Sequence, residues 1–168
     1  HVGTLLIFRK PWRGGAHCVH KNVDACRRAR TRAPFNRVPV FRRTGLPVWQ
    51  EVEAIDPLRP VLHLALPAPG SDEQLHQLIA DLHAPMLERH RPGWKVYVID
   101  GLAGDRFAIY HKCHHALVDG ESGIEILRRS LAYSARDRRI RTTVGERHQQ
   151  RPRAAPHDLR AILEAEAR

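Results

Sequence analysis

The sequence predicts an α/β fold in two layers, a mixed sheet with helices along one side. Three observations predict it. Apolar, β-rich runs recur at residues 2–8, 61–66, 94–99 and 106–113. Stretches of helical spacing lie between and after them, above all 71–82. The connections are punctuated by Pro and Gly, as in Pro67-Ala68-Pro69-Gly70 and Ala103-Gly104-Asp105. A chain of 168 residues with 42% hydrophobic content is long enough to bury one core.

The elements follow in order. Val2, Leu5, Leu6, Ile7 and Phe8 predict a buried first strand. Pro11 and Gly14-Gly15 mark a loop. His17–Arg30 reads as a helix, with Val19, Val23 and Cys26 on one face and basic residues at its C-terminal end, where they complement the helix dipole. Residues 32–43 form an irregular connection into a short strand, Val38–Arg43, which Pro39 marks as an edge or an irregular strand. Trp49 reads as structural. Ile55–Pro60 is a turn and Val61–Leu66 a strand, with His63 facing away from Leu62 and Leu64. Ser71 is a helix N-cap and Gln74 completes a capping box; Leu75, Leu78, Ile79 and Leu82 follow at helical spacing, and the helix ends before Pro85. Trp94–Ile99 and Arg106–Cys113 are joined by a short turn and read as a hairpin. Ile124–Tyr133 reads as the last helix of this part. The domain reading is therefore 1–135 as a folded unit and 136–168 as an arginine-rich, partly disordered tail. The tail has nine arginines against five acids; 136–153 reads as loosely held and Asp158–Arg168 as a short helix.

Net charge is +10, which favours anionic partners. Seven arginines and no acid lie between Ala25 and Gln50. That patch suits a phosphorylated ligand, an anionic lipid face or a second polypeptide. No nucleic-acid motif is present and the aromatics do not interleave with the basic runs, so nucleic acid is not expected. Cys18, Cys26 and Cys113 are odd in number and show no paired spacing, which points to a reducing compartment, the cytoplasm. Cys113 beside His114 and His115 fits no zinc spacing, so no metal is expected. The early apolar run is too short for a signal peptide or a membrane span.

The chemistry-bearing stretch is His111-Lys112-Cys113-His114-His115-Ala116-Leu117-Val118-Asp119-Gly120. It lies between a predicted strand and a predicted helix, which brings side chains to the rim of a sheet. A histidine there can act as general base on a hydroxyl that attacks a carbonyl. The carboxylate of Asp119 can fix the loop or the ring, and Gly120 permits a turn that a Cβ would obstruct. The same residues also suit a purely structural histidine pair followed by an Asp-Gly turn.

At these residues, with Arg91-Pro92-Gly93-Trp94, Gly101-Leu102 and Arg106-Phe107-Ala108-Ile109 upstream, the sequence resembles the bacterial wax ester synthase/acyl-CoA:diacylglycerol acyltransferases. These are part of the wider His-His-x-x-x-Asp-Gly acyltransferase superfamily. The resemblance covers residues 1–133 and includes His1-Val2-Gly3 and Leu62-His63-Leu64. It implies an N-terminal half-domain of the chloramphenicol acetyltransferase-like, CoA-dependent acyltransferase fold. It implies His115 as general base, His114 as its less essential neighbour, Asp119 as the structural aspartate and Gly120 as the glycine behind it. It further implies acyl-CoA as co-substrate with no cofactor, and diacylglycerol or a long-chain alcohol as acceptor. A peripheral place on the inner membrane face or a lipid-droplet surface goes with those substrates. Gly93 departs from the family, which usually has leucine there. Family members are longer, with a second similar half and a tunnel between the halves. The chain is therefore expected to be one half, completed by a C-terminal half or a partner chain. The competing readings are a non-catalytic remnant and a basic module that binds a membrane surface.

Overall fold

A computed structural model describes residues 1–145, apart from 42, 44, 135, 136, 138 and 139. The elements are β1 (Val2–Arg9), α1 (Gly15–Arg28), β2 (Arg37–Val40), β3 (Val48–Glu51), β4 (Val61–Ala65), α2 (Asp72–His83), β5 (Trp94–Leu102), β6 (Arg106–Cys113) and α3 (Gly120–Ser130). Four strands form one sheet in the order β1-β6-β5-β4. β1 and β5 run antiparallel to β6, and β4 runs parallel to β5, with α2 as the crossover between them. The sheet is thus mixed, as the sequence predicts.

Its coverage differs from the prediction. The sequence reading places the helices on one side; the structure places α1 and α2 on opposite faces. Val96 and Val98 pack with Val19 and Val23 of α1. Their neighbours Tyr97 and Ile99 pack with Leu75 of α2. Successive strand residues point to opposite faces, so the two clusters lie back to back. Val96 to Ile99 are all buried, which marks a strand covered on both sides.

β1 also departs from expectation. Its apolar content suggests burial, yet Val2 and Ile7 are exposed. The reason is position, because β1 is an edge of the sheet and pairs only with β6. β3 has no counterpart in the sequence reading. It pairs with β2 in a separate two-stranded sheet, with Pro39 opposite Trp49. Each strand of that ribbon has a free edge, which suits Pro39. The Trp94 indole Nε1 donates to the Phe35 carbonyl at 2.7 Å and ties the segment before β2 to the core.

α2 is formed as predicted. The Gln74 N–H donates to Ser71 Oγ at 3.3 Å and the Ser71 N–H donates to Gln74 Oε1 at 2.8 Å. α3 begins four residues earlier than predicted, at Gly120 in place of Ile124, because Asp119 caps it. Val144, within the stretch read as loosely held, is fully buried in the α1-side cluster. The helix expected at 158–168 lies outside the described residues.

Candidate active site

The long β5–β6 hairpin delivers the histidine motif. β6 ends at Cys113. The His114 N–H then donates to the Gly93 carbonyl at 2.7 Å, which holds the exit from β6 against the start of β5. The Leu117 N–H donates to the His114 carbonyl at 2.9 Å and closes a tight turn. Leu117 and Val118 are buried beneath it. Asp119 Oδ1 accepts the Ser122 N–H at 2.7 Å and so starts α3. The aspartate thus holds the junction between the turn and α3.

The two adjacent histidines diverge. His114 sets its ring edge-to-face against Trp49, centroids 5.8 Å apart, and its Nδ1 accepts the Ala116 N–H at 3.2 Å. In the neutral ring that acceptor role places the proton on Nε2. His115 faces a cavity of about 230 Å³ between β1, β6 and α3. Val2, Thr4 and Leu6 form one wall; Ile124 and Leu127 of α3 form another. Among the described residues the His115 ring makes no hydrogen bond, so both nitrogens are open to a ligand. Asp119 and Gly120 also line the cavity, which brings three of the four sequence-predicted residues to one place and turns His114 away.

Gly120 has a different role from the one predicted. No atom lies within 4 Å of the place its Cβ would take, and its φ is not positive. It is simply the first residue of α3. Gly93, the departure from the family pattern, is the constrained glycine. A Cβ there would stand 2.8 Å from Leu117 Cδ1 and 3.0 Å from Trp49 Cη2. Trp49 and Leu117 already fill the space where a larger side chain would sit.

Sequence reasoning assigns no such part to three residues of β6, His111, Lys112 and Cys113. His111 lines the same cavity as His115, near Phe35 (5.4 Å between centroids) and Trp94 (6.4 Å). Among the described residues its Nε2 is buried without a hydrogen-bond partner, and burial pushes its pKa down to about 4. It is neutral at pH 7. The alternation of β6, which puts Phe107, Ile109, His111 and Cys113 on one face, is the signal that could have found it. Cys113 lines the cavity too, and burial raises its pKa, so it stays a thiol. Lys112 points to the other face and is 2% exposed. Its ammonium donates to the carbonyls of Leu82 (3.0 Å), His83 (2.9 Å) and Pro85. The carbonyls of Leu82 and His83 are acceptors that the end of α2 leaves without intrahelical partners, and Pro85 lies just past that end.

Residues 1–167 match the family model of the wax ester synthase/diacylglycerol acyltransferase catalytic domain. A probable diacylglycerol O-acyltransferase of Mycobacterium tuberculosis, Tgs4, is 38% identical over 137 residues, covering 82% of this chain and 29% of that protein. A second from the same organism, tgs2, is 33% identical over 175 residues, covering 98% of this chain and 37% of that one. The wax ester synthase/diacylglycerol acyltransferase structure from Marinobacter aquaeolei VT8 superposes with a TM-score of 0.70 at 36% identity, over 77% of this chain and 33% of that one. The chain thus spans about a third of the length of the relatives it matches. With its fold, its histidine turn and these matches in agreement, the chain belongs to the wax ester synthase/diacylglycerol acyltransferase family.

Proposed function

We propose that this chain supplies the base-bearing half of an O-acyltransferase site that moves a fatty acyl group from acyl-CoA to diacylglycerol or a long-chain alcohol. One observation carries the reading. The His115 ring, unbonded, opens on a mainly apolar cavity at a turn fixed by Asp119. Neutral His115 accepts the proton of the acceptor hydroxyl as the oxygen attacks the thioester carbon. A C–O bond forms and the carbonyl becomes an oxyanion. When the carbonyl re-forms, the C–S bond breaks and the CoA sulfur takes the proton back from the imidazolium. The ester and free CoA leave, and the histidine is unchanged. His114 and Asp119 are positioning residues in this scheme: one bonds the turn and the other starts α3. No cofactor enters; acyl-CoA is a co-substrate.

The test is thiol release from palmitoyl-CoA, with and without hexadecanol or dioleoylglycerol. The wild type should release thiol only with acceptor. His115→Ala should lower the rate by about 100-fold or more while the circular dichroism spectrum is kept. Equal acceptor-dependent release by the two proteins would overturn the role of His115.

A further inference from the structure

The β1–β6 ladder presents three rungs to the cavity. Leu6 stands opposite Ile109, Thr4 opposite His111 and Val2 opposite Cys113, and all six side chains line the wall. Opposed residues of an antiparallel pair lie side by side on one face. The wall is therefore apolar at Leu6–Ile109, polar at Thr4–His111 and apolar again at Val2–Cys113, where burial keeps the sulfur a thiol. The polar rung is unused by the protein itself. Among the described residues His111 Nε2 is buried without a hydrogen bond, and the Thr4 hydroxyl makes none. The Trp94 indole N–H, beside His111, is already given to the Phe35 carbonyl. Same-face positions on a strand repeat about every 7 Å, and His115 lies beyond the outer rung, past the end of β6. A reacting hydroxyl lies within about 3 Å of the His115 nitrogen that takes its proton. The polar rung is one step deeper, so it meets a different atom of the bound molecule, a few bonds along from that hydroxyl.

We infer that the Thr4–His111 rung is a specificity element that donates hydrogen bonds to an ester carbonyl of the acyl acceptor, and so favours an acceptor with an ester a few bonds from its free hydroxyl over a plain long-chain alcohol. A neutral imidazole and a hydroxyl each carry one polar hydrogen, and a carbonyl oxygen has two lone pairs to receive them. The apolar rungs on either side suit the carbon chains that flank such a carbonyl. A long-chain alcohol puts methylenes at the same depth and leaves His111 Nε2 buried and unpaired. That is the condition under which a site rejects an analogue lacking the polar group. The inference rests on the acyltransferase reading for the hydroxyl at His115; the carbonyl contact itself needs no turnover.

The experiment is calorimetric binding, without acyl-CoA, of dioctanoylglycerol and of the dioctyl ether of glycerol, which keeps the hydroxyl and the chains and lacks only the carbonyls. The wild type should bind the diester about tenfold more tightly than the diether. His111→Phe should reduce that preference to about twofold, and Thr4→Val should lower it about threefold. His111→Gln, which keeps a donor, should restore part of it. In the wild type the nitrogen NMR resonance of His111 Nε2 should move with the diester and stay in place with the diether, a readout that needs no variant to fold. Equal affinity for the two ligands overturns the inference, as does the absence of saturable diester binding. So does a His111 resonance that moves with palmitoyl-CoA and not with the diester. The two readings fail separately. An ester preference in a chain that releases no thiol keeps this inference and counts against the acyltransferase reading; acceptor-dependent release at equal rates with diester and diether does the reverse.

Discussion

The two faces of the four-stranded sheet are written by alternate residues of the same strands, and they differ in how their buried polar groups are treated. On the α2 face, Lys112 donates to three carbonyls and the Tyr110 hydroxyl lies 2.5 Å from His83 Nδ1. On the α1 face, Arg27 Nε, Asn36 Oδ1 and His111 Nε2 are buried without partners among the described residues, and the cavity opens between β1 and α3. A buried polar group left unpaired costs about 1–3 kcal/mol. One face is therefore a finished scaffold, while the other holds His111 against a cavity where a ligand can satisfy it. The difference explains how a precise turn can sit beside a yielding cavity: β6 is anchored from behind by Lys112.

The comparison can be broken at Lys112 with the largest effect. Lys112→Met should cost about 3 kcal/mol in urea unfolding, since the Leu82 and Pro85 carbonyls lose their donor and the His83 carbonyl keeps only the His1 ring. A loss below about 1 kcal/mol would mean that water replaces the ammonium and that the α2 face is not sealed. His111 sharpens the other side. Its pKa is depressed from 6.5 to about 4, so between those values the unfolded chain binds more protons than the folded one. Its contribution is fully present above pH 6.5 and is lost as pH falls toward 4. We expect about 2 kcal/mol of loss over that window, less than the whole shift converts to because part of the ring lines the cavity. His111→Phe should flatten that part of the pH–stability curve; an unchanged curve would assign the titration elsewhere. Ser71→Ala should cost about 1 kcal/mol through the lost cap, measured as a lower Tm. Gly120→Ala should be neutral or stabilising by about 0.5 kcal/mol, since its Cβ would meet open space within a helix. A clear loss of stability there would restore the constraint that the motif suggests for this glycine.

The readable parts of the fold were those set by local chemistry. Ser71 and Gln74 announce α2, and Gly104-Asp105 announces the hairpin, because cap and turn residues act within a few positions. β3 was missed because Val48 to Glu51 is too short to show a period and is held by its partner β2. Double coverage of the sheet was legible in the unbroken apolar run Val96 to Ile99, which the hairpin reading of Trp94–Ile99 does not use. At the candidate site, the divergence of His114 from His115 depends on Trp49, distant in sequence. The lysine latch depends on where α2 ends in space. Neither leaves a periodic trace.

The position of β1 has a kinetic consequence. Val2 pairs with Cys113, so the wall that closes the cavity is recruited from the opposite end of the described chain. The β5–β6 hairpin closes over three residues and forms early; the β1–β6 ladder must wait for a long loop to close. The cavity is therefore among the last features to assemble during folding. Substitutions in β1 such as Leu6→Ala should then speed unfolding and leave the refolding rate nearly unchanged, which stopped-flow chevrons would read directly.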